Sequence, residues 1–185
     1  MSRYSFCKLM FKRILQKLVS LLMFPWRKAY RKRNGVCVQE NRHEIPNDIF
    51  LGLVSEKLAE GHTAIIWVKG YSMRPFIEYG RDRVKLAFPK DLNVGDAVLA
   101  QDSPGHYVLH RIMEISGDNI TLQGDGNLRG FEHCLRKDVC GVVTEYIRPN
   151  RMILASDETL KRRIQIWRKL RPIRRYLLII YKACI

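Results

Sequence analysis

Six short runs of β-branched and other apolar residues follow one another through the middle of the chain, and they constrain the fold more than any other feature. The runs occupy residues 63–69, 83–88, 96–102, 106–116, 119–124 and 138–147. Turn-forming residues separate the runs, as at Pro104-Gly105. Short runs of this composition, bounded by turn signals, are typical of antiparallel strands. The sequence therefore predicts a small, mainly β domain whose strands are mostly antiparallel.

One helix is predicted ahead of these runs, over residues 47–59. Asn47 follows Pro46 as the expected N-cap, and Gly61 supplies the stop signal. Apolar residues repeat at helical spacing within the segment: Ile49, Phe50, Leu53, Val54 and Leu58. Because a stripe of this kind normally packs on a core, we expect these side chains to be buried.

The formal net charge of +15 is concentrated at the two ends of the 185-residue chain. Residues 1–39 hold ten Lys and Arg, residues 161–185 hold nine, and neither segment has an acidic residue. Residues 40–160 hold 14 basic and 18 acidic residues, a net charge of −4. This distribution argues against a nucleic-acid-binding core and places any anionic partner at the ends. We predict three regions: a basic amphipathic extension and linker over 1–45, a β domain over 46–150, and a basic helical extension over 151–185.

Both basic ends contain amphipathic segments, at residues 5–24 and at about 159–182, the second interrupted by Pro172. Basic amphipathic helices commonly lie on anionic membrane surfaces, but they also pack on a protein core with a solvated basic face, and both interpretations remain open. The longest uncharged stretches near the ends, 18–26 and 176–181, are far shorter than the ~20 apolar residues of a spanning helix. We therefore expect a cytoplasmic protein that can bind the inner face of the membrane peripherally.

Five cysteines are scattered along the chain without a C-x-x-C pair. Their odd number and their spacing argue against a disulfide framework and against a structural zinc site, and favour a reducing compartment. His62, His106 and His133 do not form a ligand spacing with these cysteines. No glycine-rich phosphate loop occurs. We predict neither a metal nor a cofactor.

Three polar residues suggest chemistry when they are taken together. Ser72 follows a predicted strand, in a turn that a glycine precedes. A serine in such a turn can stay accessible, and its own amide can donate a hydrogen bond to an oxyanion, although most serines in turns have no such role. His110 shares a strand face with Val108 and Ile112, so it is either a hydrogen-bonded core residue or a general base. Asp125 lies in a glycine-rich turn, where a carboxylate can orient an imidazole or simply close a hairpin.

The order of these residues resembles the signal peptidase I and LexA-type serine peptidases, over about 40% of the chain, from Val68 to Val143. The matching motifs are G-x-S-M-x-P at 70–75, a Gly80/Asp82 turn, V-G-D at 94–96, H-R at 110–111, G-D-x-N at 124–127 and D-V-x-G at 138–141. The resemblance implies a β-rich catalytic core that hydrolyses peptide bonds. Many members of this superfamily have a lysine base where this chain has His110, whereas others have a histidine there, and this chain is similar to that histidine variant. The overall pattern also resembles short peptidase-like proteins of Bacteroides-type bacteria. The implied pair is Ser72 as nucleophile and His110 as base.

The third member of the implied triad has two candidates. Asp125 matches the aspartate of the G-D-x-N motif, whereas histidine-type enzymes carry an acid several positions later, where Glu132 is the nearest acidic residue. Signal peptidases normally have a transmembrane anchor, and no such segment is evident here. We therefore expect a peptide or protein substrate inside the cell, such as a small or leader peptide.

Two other functions fit the same sequence. A LexA-like self-cleaving regulator would need a helix-turn-helix and a cleavage site ahead of the core, and residues 1–45 show no helix-turn-helix pattern. A catalytically silent β domain could instead use its basic ends as an adaptor for a membrane surface or a partner protein.

Overall fold

The computed structural model describes residues 46–184, and these divide into two compact units, 46–165 and 166–184. The predicted amphipathic segment at 5–24 and the predicted linker lie outside the described residues. The larger unit contains one preceding helix, eight strands and the first part of a helix that begins at Glu158. The prediction of a mainly β, antiparallel fold with one preceding helix and a helical C-terminal segment is confirmed.

Helix α1 spans Asn47–Ala59, the bounds that the sequence predicts. The capping prediction is wrong: Pro46 occupies the N-cap position, and the Asn47 side chain instead accepts a hydrogen bond from Lys69 Nζ at 2.8 Å. The prediction that the whole apolar stripe is buried is also wrong. Val54 and Leu58 are buried, whereas Ile49, Phe50 and Leu53 remain exposed.

The strands are all paired antiparallel. Their bounds are β1 Ala64–Trp67, β2 Arg83–Ala87, β3 Ala97–Ser103, β4 His106–Ser116, β5 Asn119–Gln123, β6 Glu132–Leu135, β7 Val139–Arg148 and β8 Arg151–Leu154. Their order in the sheet is β1-β2-β7-β3-β4-β5-β6, and β8 also pairs with β7. The six predicted runs correspond to β1–β5 and β7, so β6 and β8 are additions. Because β8 pairs with β7, the sheet extends four residues beyond the domain boundary predicted at residue 150.

The hydrophobic core is centred on the middle strands of the sheet. A cluster of buried side chains from β3–β7 forms its centre: Val98, Ala100, Val108, Ile112, Ile120, Leu122, Cys134 and Val139. Helix α1 packs on β7 at Gly141, where an added Cβ would lie only 2.7 Å from Leu58 Cδ1. Glycine at this position therefore lets the helix approach the strand directly.

The C-terminal segment forms helices α2, Glu158–Lys169, and α3, Arg174–Cys184. The predicted interruption at Pro172 is confirmed, because a 3₁₀ turn over Arg171–Ile173 separates the helices. In the smaller unit, Arg174 donates a hydrogen bond to the Trp167 carbonyl at 3.5 Å and stacks over its ring. No helix within residues 46–184 has the length and apolar character needed to cross a bilayer.

Candidate active site

Ser72 lies in a tight turn that follows β1. Gly70 has φ +82°, a backbone conformation that favours glycine, and it turns the chain into this segment. Met73 and Ile77 are almost fully buried, and Ile77 N–H donates to the Met73 carbonyl at 3.0 Å. Tyr71 is exposed and Ser72 half-buried, so the turn is anchored on one side of the serine and open on the other.

Buried ion pairs brace the segment that follows the serine. The Arg74 guanidinium contacts Glu78 through Nε at 2.8 and 2.9 Å and through a shorter contact from Nη2. Asp82 accepts a hydrogen bond from the Glu78 amide at 2.9 Å and pairs with Arg81. Arg148 Nη2 donates to the Phe76 carbonyl at 3.1 Å. Because these charges are paired and hydrogen-bonded out of water, they hold the Ser72 turn in one conformation.

The Ser72 turn rests directly on the chain that leaves β5. Gly126 N–H donates to the Ser72 carbonyl at 2.6 Å. A Cβ added at Gly124 would lie 2.6 Å from the same carbonyl oxygen, and one added at Gly126 would lie 2.9 Å from the Tyr71 carbonyl oxygen. Real Cβ atoms do not approach so closely, so both glycines are required for this contact between two backbones.

His110 lies on β4, opposite Val98 of β3, and its side chain is buried. His110 lies on the same face of β4 as Ile112. Ile112 pairs with Leu122 on β5, and Leu122 pairs with Glu132 on β6. Paired residues point to the same side of a sheet, so His110 and Glu132 share a face across three strands.

The His110 ring contacts this acid directly. His110 Nδ1 lies 2.9 Å from Glu132 Oε2, and the carboxylate is about one-quarter exposed. Because an ionised carboxylate only accepts, the contact assigns the proton to Nδ1 and leaves Nε2 as the ring nitrogen that can accept one. This is the tautomer that a general base needs.

Asp125 takes a different partner. Its carboxylate accepts two contacts from Arg111 Nε at 2.9 and 3.0 Å and one from Nη2 at 2.6 Å. Arg111 points to the opposite side of β4 from His110, and it also donates to the Gly95 carbonyl at 2.7 Å. Of the two candidates for the acid that orients His110, Glu132 makes the contact with the ring, whereas Asp125 pairs with Arg111.

The Arg111–Asp125 pair is a structural element beneath the site. Arg111 is fully buried and lies over the Phe76 ring, 5.4 Å from its centre. Burial lowers the pKa of its guanidinium, but attraction to Asp125 and to Tyr146 outweighs burial, so the pKa is raised and the group stays charged. The pair thereby joins β4, the turn after β5 and the Ser72 segment.

The strand register places Ser72 and His110 at the same end of the β4–β5 pair. Arg111 pairs with Gln123, so Gly124 follows β5 beside the position of His110, and the Ser72 backbone rests on Gly124. The Ser72 hydroxyl makes no hydrogen bond with any residue of 46–184, and the direct Ser72–His110 contact stays a prediction.

Sequence patterns did not point to the ion pairs around Arg74, Asp82 and Arg148. Among these ion pairs, only Arg74–Glu78 has a local sequence signal, namely its four-residue spacing. Opposite charges at this spacing can meet within one turn of the backbone. Within the described ranges, no group of three or more His, Cys, Asp or Glu side chains is arranged to hold a metal ion.

Comparisons of the chain with protein family models, with curated proteins and with solved structures found no match. The inference of function therefore depends on the geometry of this site and on the motif resemblance.

Proposed function

We propose that this protein is a serine endopeptidase of the signal peptidase/LexA type. The main support is the placement of the Ser72 turn on Gly124–Gly126, beside a histidine whose Nδ1 is held by Glu132. A buried histidine with an acid at one ring nitrogen is the arrangement that a serine nucleophile needs from its base.

In the proposed reaction, Ser72 Oγ attacks the peptide carbonyl while His110 Nε2 takes the hydroxyl proton. Glu132 stabilises the imidazolium that forms, because its carboxylate faces the protonated Nδ1. The Ser72 amide is a donor for the oxyanion, since within residues 46–184 it makes no backbone hydrogen bond. The imidazolium then protonates the leaving amine, and His110 activates the water that hydrolyses the acyl-enzyme.

We further propose that the substrate is an extended peptide, such as a small intracellular or leader peptide, that adds to the edge of the sheet. Strand β1 pairs with β2 on one side, and among the described strands none covers its other side. It leads directly into the Ser72 turn, so a peptide hydrogen-bonded to this edge would run toward the serine. Main-chain hydrogen bonds to an edge strand supply affinity with little demand on side-chain identity.

The test is labelling by a fluorophosphonate probe together with cleavage of a peptide library by the full chain. Ser72→Ala and His110→Ala should abolish both signals, whereas the exposed residues Ser116 and His133 provide matched controls. Ser116→Ala and His133→Ala should retain both signals. Equal labelling of wild type and Ser72→Ala would reject the proposal.

Intact mass measurement over time distinguishes cleavage in trans from self-cleavage. A peptidase of the proposed kind keeps its own mass while it cleaves added peptide. Self-cleavage that requires Ser72 would support the same chemistry with the chain as its own substrate. A complete absence of hydrolysis and labelling in a folded protein would favour a non-catalytic adaptor instead.

A further inference from the structure

Strand β1 has one edge that no described strand covers, and the hydrogen bonds around β1 and β2 show which main-chain groups point to it. The Val68 amide, just after β1, donates to the Asp82 carbonyl at 3.5 Å, so the even-numbered residues of β1 face β2. The Lys85 carbonyl accepts a hydrogen bond from a β7 side chain at 3.2 Å, which fits the same alternation. Because successive residues of an antiparallel ladder direct these groups to opposite sides, Ile65 and Trp67 direct theirs toward the open edge.

The same two residues carry half-exposed apolar side chains. Ile65 is 55% exposed and Trp67 49%, and both project to one side of β1, which we call the outer side. Ile66 between them projects to the other side and is buried. The Arg83 guanidinium lies 5.3 Å from the centre of the Trp67 ring, a cation–π contact that restrains the indole at the edge. The open edge therefore combines main-chain hydrogen-bonding groups with apolar side chains at alternate positions.

A peptide strand that adds to this edge has its own side chains on alternate sides. The peptide residues opposite Ile65 and Trp67 are then two positions apart, and both project to the outer side. Their Cβ atoms lie about 5 Å from those of the two protein residues, which is the distance at which cross-strand pairs interact. Apolar side chains gain most at these positions, because each one covers protein surface that is otherwise exposed to water.

We propose that Trp67 and Ile65 determine substrate preference by selecting peptides that carry apolar side chains at two alternate positions. Trp67 precedes Ser72 by five residues, which span at most about 18 Å, so the selected positions lie within about five residues of the scissile bond. This inference rests on the proposed peptidase function, because it takes the peptide paired with β1 as the substrate. It adds the class of side chain that the edge accepts.

Strand β1 of a second copy is the other occupant that this edge could pair with. That contact would extend over only four residues of each chain. A stable interface between two proteins buries about 1,200 Å² or more, far above what one short strand pair provides. A substrate peptide needs no such area, because it binds only for the time of the reaction.

The first test measures binding without cleavage, by fluorescence anisotropy of labelled peptides with the full chain carrying Ser72→Ala. Two short peptides of identical composition contain two leucines in a serine and threonine background. The leucines are at alternate positions in one peptide and adjacent in the other, so only the first can place both on the outer side. The alternate peptide should bind about fivefold more tightly, and adding Trp67→Ala should reduce this difference to less than about twofold.

Two further variants serve as controls in the same background. Met152→Ala removes a side chain that is 60% exposed on the same side of the sheet but lies on β8, three strands from β1, so the preference should be retained. Ile65→Pro removes an N–H group at the open edge and keeps the β1–β2 ladder, so it should weaken binding of both peptides by about threefold or more. Thermal unfolding of each variant verifies that it folds.

The second test profiles cleavage of a peptide library by the active chain, with fluorophosphonate labelling of Ser72 in parallel. Trp67→Ala should lose the preference for an apolar residue at one position, while its labelling rate stays that of the wild type. Normal labelling without any apolar preference in the wild type overturns this inference and leaves the peptidase proposal standing. So does an equal loss of preference in Met152→Ala.

The remaining outcomes separate the two proposals further. Absent labelling combined with binding that depends on leucine spacing would reject the peptidase proposal and assign the edge to peptide binding alone. A dimer in size-exclusion chromatography that dissociates in Ile65→Pro, together with no peptide binding, would assign the edge to a second copy and overturn the inference.

Discussion

Replacing Gly124 by alanine would place a methyl carbon 2.6 Å from the Ser72 carbonyl oxygen and 3.0 Å from the Asn127 side chain. Ordinary contacts of a Cβ begin at 3.4 Å, so the two backbones must separate by roughly 0.8 Å or more. Side-chain motion cannot absorb this shift, because the nearest atom belongs to the main chain. The substitution therefore displaces the serine but leaves the side chains of Ser72, His110 and Glu132 chemically intact.

The expected result is a large loss of activity in a folded protein. A displacement near 1 Å at a reacting group can cost about 10²-fold in rate, so we expect Gly124→Ala to lower probe labelling of Ser72 and kcat/KM by about that factor. Overpacking should also cost about 1–3 kcal/mol of unfolding free energy, which urea unfolding measures.

The control is Gly52→Ala in α1, where an added Cβ would meet its nearest atom, Tyr107 Oη, at an ordinary 3.7 Å. This variant should keep the wild-type labelling rate, because the methyl group is accommodated without a shift. Wild-type labelling by folded Gly124→Ala would refute the idea that the contact between these backbones positions Ser72.

Four further outcomes follow from the same structure. Asp125→Asn should lower the unfolding free energy by about 3–5 kcal/mol in a urea titration, because it leaves the buried charge of Arg111 without a counter-ion. Glu132→Gln should leave the free energy of unfolding nearly unchanged, since the carboxylate is partly exposed, but should lower kcat by about 10²-fold or more. A large loss of kcat in Asp125→Asn together with unchanged kcat in Glu132→Gln would instead assign the orienting role to Asp125. Burial raises the pKa of the Cys134 thiol from 9.0 to about 11, so the thiol loses its proton at a higher pH in the folded state than in the unfolded chain. The contribution of this shift to the free energy of unfolding is complete below pH 9 and should be lost as the pH rises toward 11. Urea titrations of wild type and Cys134→Ala across that range measure the effect, which the variant should lack. Leu58→Ala should cost about 3 kcal/mol in the same assay, because Leu58 is fully buried between α1 and β7, and a loss below 1 kcal/mol would contradict that packing.

Local patterns were sufficient for most of the secondary structure. The helix at 47–59 has period 3.6 and clear end signals, and the longer strands are bounded by glycine and proline turns. The two strands that were not predicted, Glu132–Leu135 and Arg151–Leu154, have four residues each and carry charge, so their own pattern is weak. They are strands because β5 and β7 offer them unpaired edges, and an edge is a property of the assembled sheet.

The apolar stripe of α1 shows a similar limit. Helical spacing correctly indicates that Val54 and Leu58 can share a face, but it does not say how wide the contact with the sheet is. That width depends on how closely α1 approaches β7, and Gly141 sets this approach by offering no side chain. Ile49 and Leu53 lie beyond the contact and stay exposed.

The sequence by itself determined that His110 and Arg111 face opposite sides of one strand, because side chains alternate with period two. It did not determine which acid each would meet. The structure joins Arg111 to Asp125 and His110 to Glu132, because the β4–β5 and β5–β6 registers decide which side chains share a face. Register is a relation between strands that are distant in the chain, so a local sequence pattern does not specify it. Only the tertiary structure could show that Asp125 is the buried counter-ion of Arg111, whereas Glu132, seven residues later, is the partner of His110.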